Sequence, residues 1–186
     1  KSVVELANVK NPWFTEKMIH HSLSVWSDQI TPENIDNWLN SYSIPNHSSS
    51  KSILLILAGN LPMVGWHDFI CCYLLGFKVK IKLSKSDDVI IPFMIKILSL
   101  FSIDLVKETE IVNGKAKDYD MVIATGSNNT NRYFEYYFEK TPHLFRKNRT
   151  SVAIIDNQTT ENDLNNLSKD VFDYFGLGCR SVTKLY

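Results

Sequence analysis

The pattern of hydrophobic and polar positions changes near residue 50. Before it, apolar residues recur at helical spacing. Phe14, Met18, Ile19, Leu23 and Trp26 share one face of a helix predicted over Trp13 to Trp26. Thr31, Pro32 and Glu33 supply the cap and first turn of a second helix carrying Ile35, Trp38 and Leu39. Stripes of this kind pack cores more often than they meet partners. Ile44 to Ser52 is a mostly polar linker. Ile53 to Ala58 is then a continuous apolar run of strand length, followed by a turn at Gly59, Asn60, Leu61 and Pro62 and a helix over Met63 to Leu75 that stops at Gly76. Val79 to Leu83 reads as a second strand and Asp87 to Phe101 as a helix; Ile103 to Val106 is a weak third strand and Met121 to Ala124 a fourth. Ser127 caps a helix through Tyr137, Ser151 to Ile155 is a fifth strand, and Thr160 to Phe175 is another amphipathic helix.

Short apolar strands alternating with helices predict an α/β fold: a Rossmann-like, mostly parallel sheet with helices on both faces and a helical N-terminal preface. The expected divisions are 1–50 for the preface and linker, 51–175 for the α/β domain, and 176–186 for the start of a further domain. Because Lys1 and Tyr186 fall in mid-pattern, the chain reads as a piece of a longer protein.

Composition narrows the function classes. The 186 residues include 20 basic and 20 acidic side chains, which gives no electrostatic case for nucleic acid or an anionic membrane surface. No apolar run is long enough to span a bilayer and no signal segment opens the chain, so a soluble, cytoplasmic setting is expected. Three cysteines, two of them adjacent at Cys71 and Cys72, make no disulfide framework, and no zinc-type ligand spacing occurs, so no metal is expected.

In such a sheet, ligands bind at the carboxyl ends of the strands. Asn60 follows the first strand, Lys82, Ser84 and Lys85 the second, and Thr125, Gly126 and Ser127 the fourth, where a helix N-terminus could receive a phosphate. Each has an ordinary alternative: a turn-stabilising Asn, a solvated cationic rim, a plain N-cap. Neither a Gly-x-Gly-x-x-Gly fingerprint nor a Walker loop is present. Near the end, Gly176-Leu177-Gly178-Cys179-Arg180-Ser181 leads two glycines into a lone cysteine and a helix-like tail. At the first turn of a helix a thiol is biased toward thiolate; the alternative is a turn and a small structural cysteine.

Taken together and in this order, the motifs resemble the aldehyde dehydrogenase superfamily. Within it, Leu57-Ala58-Gly59-Asn60-Leu61-Pro62, Ala124-Thr125-Gly126-Ser127 and Gly176-Leu177-Gly178-Cys179-Arg180-Ser181 look like the luminescence-type (Lux) fatty-acyl-CoA reductases. The resemblance covers roughly residues 50 to 186. It implies that Cys179 is the nucleophile, that Asn60 with the Cys179 N–H forms an oxyanion hole, that Lys82 meets the adenosine ribose or its 2′-phosphate, and that Ser127 meets the pyrophosphate. Ser84, Lys85, Thr125 and Gly126 complete the implied cofactor set. Aldehyde-oxidising members carry a Glu just before the fifth strand; here Leu144-Phe145-Arg146-Lys147-Asn148 has no carboxylate. That favours exchange of an acyl group with a thiol, hence reduction of an acyl-CoA to an aldehyde. Lys85, standing where the superfamily often has a Glu that repels a 2′-phosphate, favours NADPH, with NADH as the second candidate. The resemblance further implies a homo-oligomer at full length and a chain that folds without turning over when isolated. His143, beside Pro142, reads as a surface or packing residue. The rival from another class is a non-catalytic α/β nucleotide-binding or assembly domain in which Cys179 is structural.

Overall fold

The computed structural model describes residues 2–44, 49–178 and 181–186. Two compact units result, Lys1–Arg146 and Lys147–Tyr186. The first opens with three helices, α1 (Val3–Lys10), α2 (Glu16–Gln29) and α3 (Pro32–Leu39). Ser2 and Glu5 close a capping box on α1, and Thr15 and Thr31 accept the N–H groups of Met18 and Asn34 at the starts of α2 and α3. The preface belongs to the core: Ala7, Phe14 and Ile19 are buried with residues of the sheet.

Five strands, β1 (Ser52–Ile56), β2 (Lys78–Lys82), β3 (Thr109–Ile111), β4 (Met121–Thr125) and β5 (His143–Arg146), form one parallel sheet in the order β3-β2-β1-β4-β5. The central β1 is buried on both faces, which is why it reads as an unbroken apolar run. Ile53 and Leu55 face one cluster with Val79, Ile81, Trp66, Phe69, Ile90 and Ile91, to which α4 (Trp66–Leu74), α5 (Ile90–Ser99) and α6 (Ile103–Glu108) contribute. Leu54 faces the other with Val122, Ala124 and the rings of Phe134, Phe138 and Phe145, and α7 (Asn128–Tyr137) covers that side.

The fold is as expected, with local corrections. Ile103 to Val106 is not a strand: Ser102 accepts the Leu105 N–H and caps α6 there, and the third strand is β3. Met63 to Gly65 is turn and α4 starts at Trp66, while α5 starts at Ile90 rather than Asp87. The fifth strand of the sheet is His143–Arg146, which the pattern missed.

In the second unit, β6 (Ser151–Ala153) pairs in parallel with β7 (Val182–Leu185) as a separate two-stranded sheet, so Ser151 is not the start of the main sheet's fifth strand. Between them runs α8 (Glu161–Phe172), opened by a Thr160–Asp163 capping box and followed by a short 3₁₀ turn, Asp173–Gly176. The tail after residue 180 is strand β7, not helix.

Candidate functional site

The chain lays down β1, β2 and β3 in one direction and then returns to place β4 on the other side of β1. This reversal opens a crevice at the carboxyl ends of β1 and β4, where ligands of such sheets bind. Asn60 follows β1 on one side of that crevice, and Thr125 to Ser127 follow β4 on the other.

The turn after β1 is fixed at both ends. Gly59 leaves no room for a side chain: a Cβ there would stand 2.5 Å from Ser84 Oγ and 2.7 Å from Ser84 Cβ, so glycine is what lets the turn reach the loop after β2. Asn60 is exposed. Met63 has φ 59, the left-handed region that non-glycine residues rarely occupy, with its side chain buried. Its N–H donates to Asp87 Oδ2 over 3.0 Å in a buried contact. Burial pushes the Asp87 carboxyl up from 3.8 to about 6, against the backbone N–H groups of Met63 and Ile90, which favour its charged form.

At the end of β2, the half-buried Lys82 donates through Nζ to the Gly114 carbonyl in the loop after β3, leaving further N–H bonds on the ammonium. Ser84 Oγ accepts the Ser86 N–H at 3.2 Å. Lys85 is exposed in the turn and forms no ion pair among the described residues. Its acidic neighbours are otherwise engaged, Asp88 by Lys10 at 2.8 Å and Asp87 by burial, so Lys85 is a cation free to face an anion.

The loop after β4 is held by a residue the sequence reading missed. Asn131, buried within α7, places Nδ2 2.9 Å from the Gly126 carbonyl, 3.0 Å from that of Ser127 and 3.3 Å from that of Arg146. The Gly126 N–H also donates to the Arg146 carbonyl at 3.1 Å. Ser127 is exposed and caps α7, accepting the Thr130 N–H at 3.1 Å. An Asn in a helix interior, four residues after an N-cap Ser, was the available signal, since Asn disfavours such a position unless its amide has work there. Thr125 ends β4 opposite Arg146.

Thus the structure gathers Gly59, Ser84 and Asp87 closely and sets Asn60, Lys82, Lys85 and Thr125 to Ser127 along one edge of the sheet. Cys179 and Arg180 lie outside the described residues. Burial biases the other two thiols away from thiolate, pushing Cys72 up to about 12 with Asp68 adding to the rise, and raising Cys71 in the same direction. His143 starts β5, at the opposite end of the sheet from these loops, and stacks on Phe145 with ring centres 4.1 Å apart. Among the described residues no group of three His, Cys, Asp or Glu could hold a metal, and no helix is long and apolar enough to cross a membrane.

No protein-family profile and no curated protein matches the sequence. Solved structures do match the fold. Aldehyde dehydrogenase from Mycobacterium tuberculosis, complexed with NAD+, aligns with TM-score 0.59 and 19% identity over 72% of this chain and 30% of its own. Aldehyde dehydrogenase C from Pseudomonas syringae, complexed with NAD+ and octanal, aligns with TM-score 0.63 and 15% identity over 80% of this chain and 35% of its own. An oxidoreductase from Marinobacter aquaeolei aligns with TM-score 0.64 and 18% identity over 74% of this chain and 31% of its own. This chain therefore spans about a third of the length of these structures, and shares with the part it covers an α/β fold.

Proposed function

We propose that this chain is the nicotinamide-nucleotide-binding part of an acyl-CoA reductase that converts an acyl thioester to an aldehyde. The observation that carries the reading is the placement of Asn60 after β1, Lys82 and Lys85 at and beyond the end of β2, and Ser127 after β4, at the carboxyl ends of three neighbouring strands that flank the point where strand order reverses. The donor set suits a dinucleotide: an exposed cation at Lys85, remaining N–H bonds on Lys82, and the first turn of α7 capped by Ser127 for a pyrophosphate. NAD+ in the similar structures supports a nicotinamide cofactor, and Lys85 is the ground for preferring the 2′-phosphorylated form.

The chain's own residues would act as follows. Cys179 thiolate attacks the thioester carbonyl carbon, a C–S bond forms to the enzyme, and the CoA thiolate leaves. The Asn60 side-chain amide donates to the oxyanion that develops during attack. A reduced nicotinamide nucleotide held by Lys82, Lys85 and Ser127 would supply the hydride equivalent that the acyl carbon needs. The hemithioacetal anion so formed would break its C–S bond to Cys179, releasing the aldehyde and restoring the Cys179 thiolate. Arg146 ends β5, and Leu144 to Asn148 offer no carboxylate to activate water, which supports reduction over hydrolysis of the acyl-enzyme.

Two measurements test this. Energy transfer from tryptophan to NADPH should saturate with the isolated chain, and absence of saturable binding of either reduced nucleotide overturns the reading. Mass spectrometry of the complete polypeptide incubated with acyl-CoA should place the acyl group on the Cys179 peptide. An adduct that persists in Cys179→Ala, or an inert Cys179 with normal nucleotide binding, favours the non-catalytic nucleotide-binding domain instead.

A further inference from the structure

We propose that Asp87 is a positioning residue, which locks the turn presenting Asn60 and ties it to the loop that follows Lys82 and carries Ser84 and Lys85. The coupling to nucleotide rests on the function proposed above; the lock itself does not.

Three observations converge on it. First, Met63 stands in the left-handed region at φ 59, a conformation that persists in a non-glycine residue only where the surroundings enforce it. Its side chain is anchored in the core, and its N–H donates to Asp87 Oδ2 over 3.0 Å. Only Leu61 and Pro62 separate Met63 from Asn60, and proline restricts φ, so little freedom remains between the anchor and the Asn60 backbone. Secondly, Asp87 is only 5% exposed, and among the described residues no cation pairs with it. Its Oδ1 lacks a hydrogen-bond partner of good geometry. A buried carboxylate so poorly compensated is costly to the fold, and the turn it restrains gives it a purpose. Thirdly, its backbone N–H donates to the Ser84 carbonyl at 3.2 Å, and Ser84 is the residue against which Gly59 is packed. One residue therefore grips the turn after β1 by its side chain and the loop after β2 by its backbone.

The carboxyl is also poised to report on the contact. The turn after β1 carries no titratable side chain. Charged groups on the surrounding elements are Glu5 and Lys10 on α1, His67 and Asp68 on α4, and Lys96 on α5, with Lys85 and Asp88 on its own segment. Of these Asp88 acts on Asp87, and Lys10 offsets Asp88 through an ion pair.

The experiment is amide NMR on the chain in three forms: wild type, Asp87→Asn and Asp87→Ala. Asn keeps an acceptor for the Met63 N–H and Ala does not. Exchange at the Met63 amide should quicken at least about tenfold in Asp87→Ala and stay slow in Asp87→Asn, with the Val122 amide in β4 protected alike in all three. Addition of NADPH should move the Asn60 side-chain amide resonances in wild type and Asp87→Asn but not in Asp87→Ala. Unchanged Met63 exchange in the Ala variant, or equal loss in the Asn variant, overturns the proposal. If Asp87→Ala loses Val122 protection altogether, the pH titration of the Met63 amide in wild type decides: a midpoint near 6 that vanishes in Asp87→Asn supports the lock, and a flat profile overturns it. Failure of wild type to bind NADPH defeats the nucleotide reading and the coupling, while the Met63 measurements still decide the lock.

Discussion

Arg146 Nη2 donates to Asp68 Oδ1 over 2.8 Å, joining the carboxyl end of β5 to the first turn of α4. The Asp68 side chain is 8% exposed and that of Arg146 36%, so the carboxylate depends on the guanidinium more than the reverse. Breaking a buried pair from one side leaves an uncompensated charge, which costs about 3 to 5 kcal/mol when both partners are dry. Here Arg146 is partly solvated and His67 Nδ1 lies 3.6 Å from the same oxygen, which lowers the expectation for Arg146→Met to about 2 kcal/mol. Adding Asp68→Asn should recover part of it. Urea unfolding checks both, and a single-variant loss below about 0.5 kcal/mol would show that the pair is not coupled.

Gly59→Ala should be destabilising by about 1 to 3 kcal/mol, as expected for overpacking. The new methyl meets Ser84 Cβ as well as Oγ, so rotating the serine does not relieve it. Ser84→Gly in the same chain removes both atoms and should restore most of the loss in thermal unfolding. Independent, additive effects of the two substitutions would contradict the close approach of these loops.

Asp87 makes the stability of the first unit pH-dependent in a defined direction. Its folded-state value, raised from 3.8 to about 6, means that the folded state holds more protons than the unfolded state between those values. The contribution of this group therefore falls as pH rises through that window, and above it the full cost of the buried charge, about 3 kcal/mol at most, is present. Asp87→Asn should be more stable than wild type at pH 7.5, with the difference shrinking toward pH 4. A difference that is constant across ~pH 4 to 7.5, or that grows on acidification, contradicts the raised value.

Lys85→Glu should invert the nucleotide preference. On the function proposed above, and with Asp88 taken by Lys10, the Lys85 ammonium would meet a 2′-phosphate, an interaction of about 1 to 4 kcal/mol at ~4 Å. Wild type should bind NADPH roughly tenfold or more tightly than NADH, and the variant should lose that margin. Titration of both reduced nucleotides measures it; a wild-type preference for NADH, or an unaltered ratio in the variant, removes Lys85 from the site.

What the sequence determined by itself was whatever depends on a residue's near neighbours. The unbroken run at Ile53 to Ala58 announced a strand, because a short strand buried on both faces is apolar throughout; that it is the central one came from strand order. Thr31 and Ser127 marked helix starts because an N-cap is a contact between residues three apart. The alternation of these elements was enough for the α/β class. Tertiary structure decided what depends on which strands become neighbours. Ile103 to Val106 has strand-like residues but joins α6, capped by Ser102, while the short Thr109–Ile111 becomes a strand by pairing with β2. His143–Arg146 is only four residues long and sets just one apolar ring, Phe145, against the core, because an edge strand is held largely by its backbone bonds to β4. The contacts that shape the candidate site join residues far apart in the chain: Met63 to Asp87, Gly59 to Ser84, Asn131 to the Arg146 carbonyl, Arg146 to Asp68. Periodicity carries no information about such pairs, since strand order alone brings their loops to one edge of the sheet.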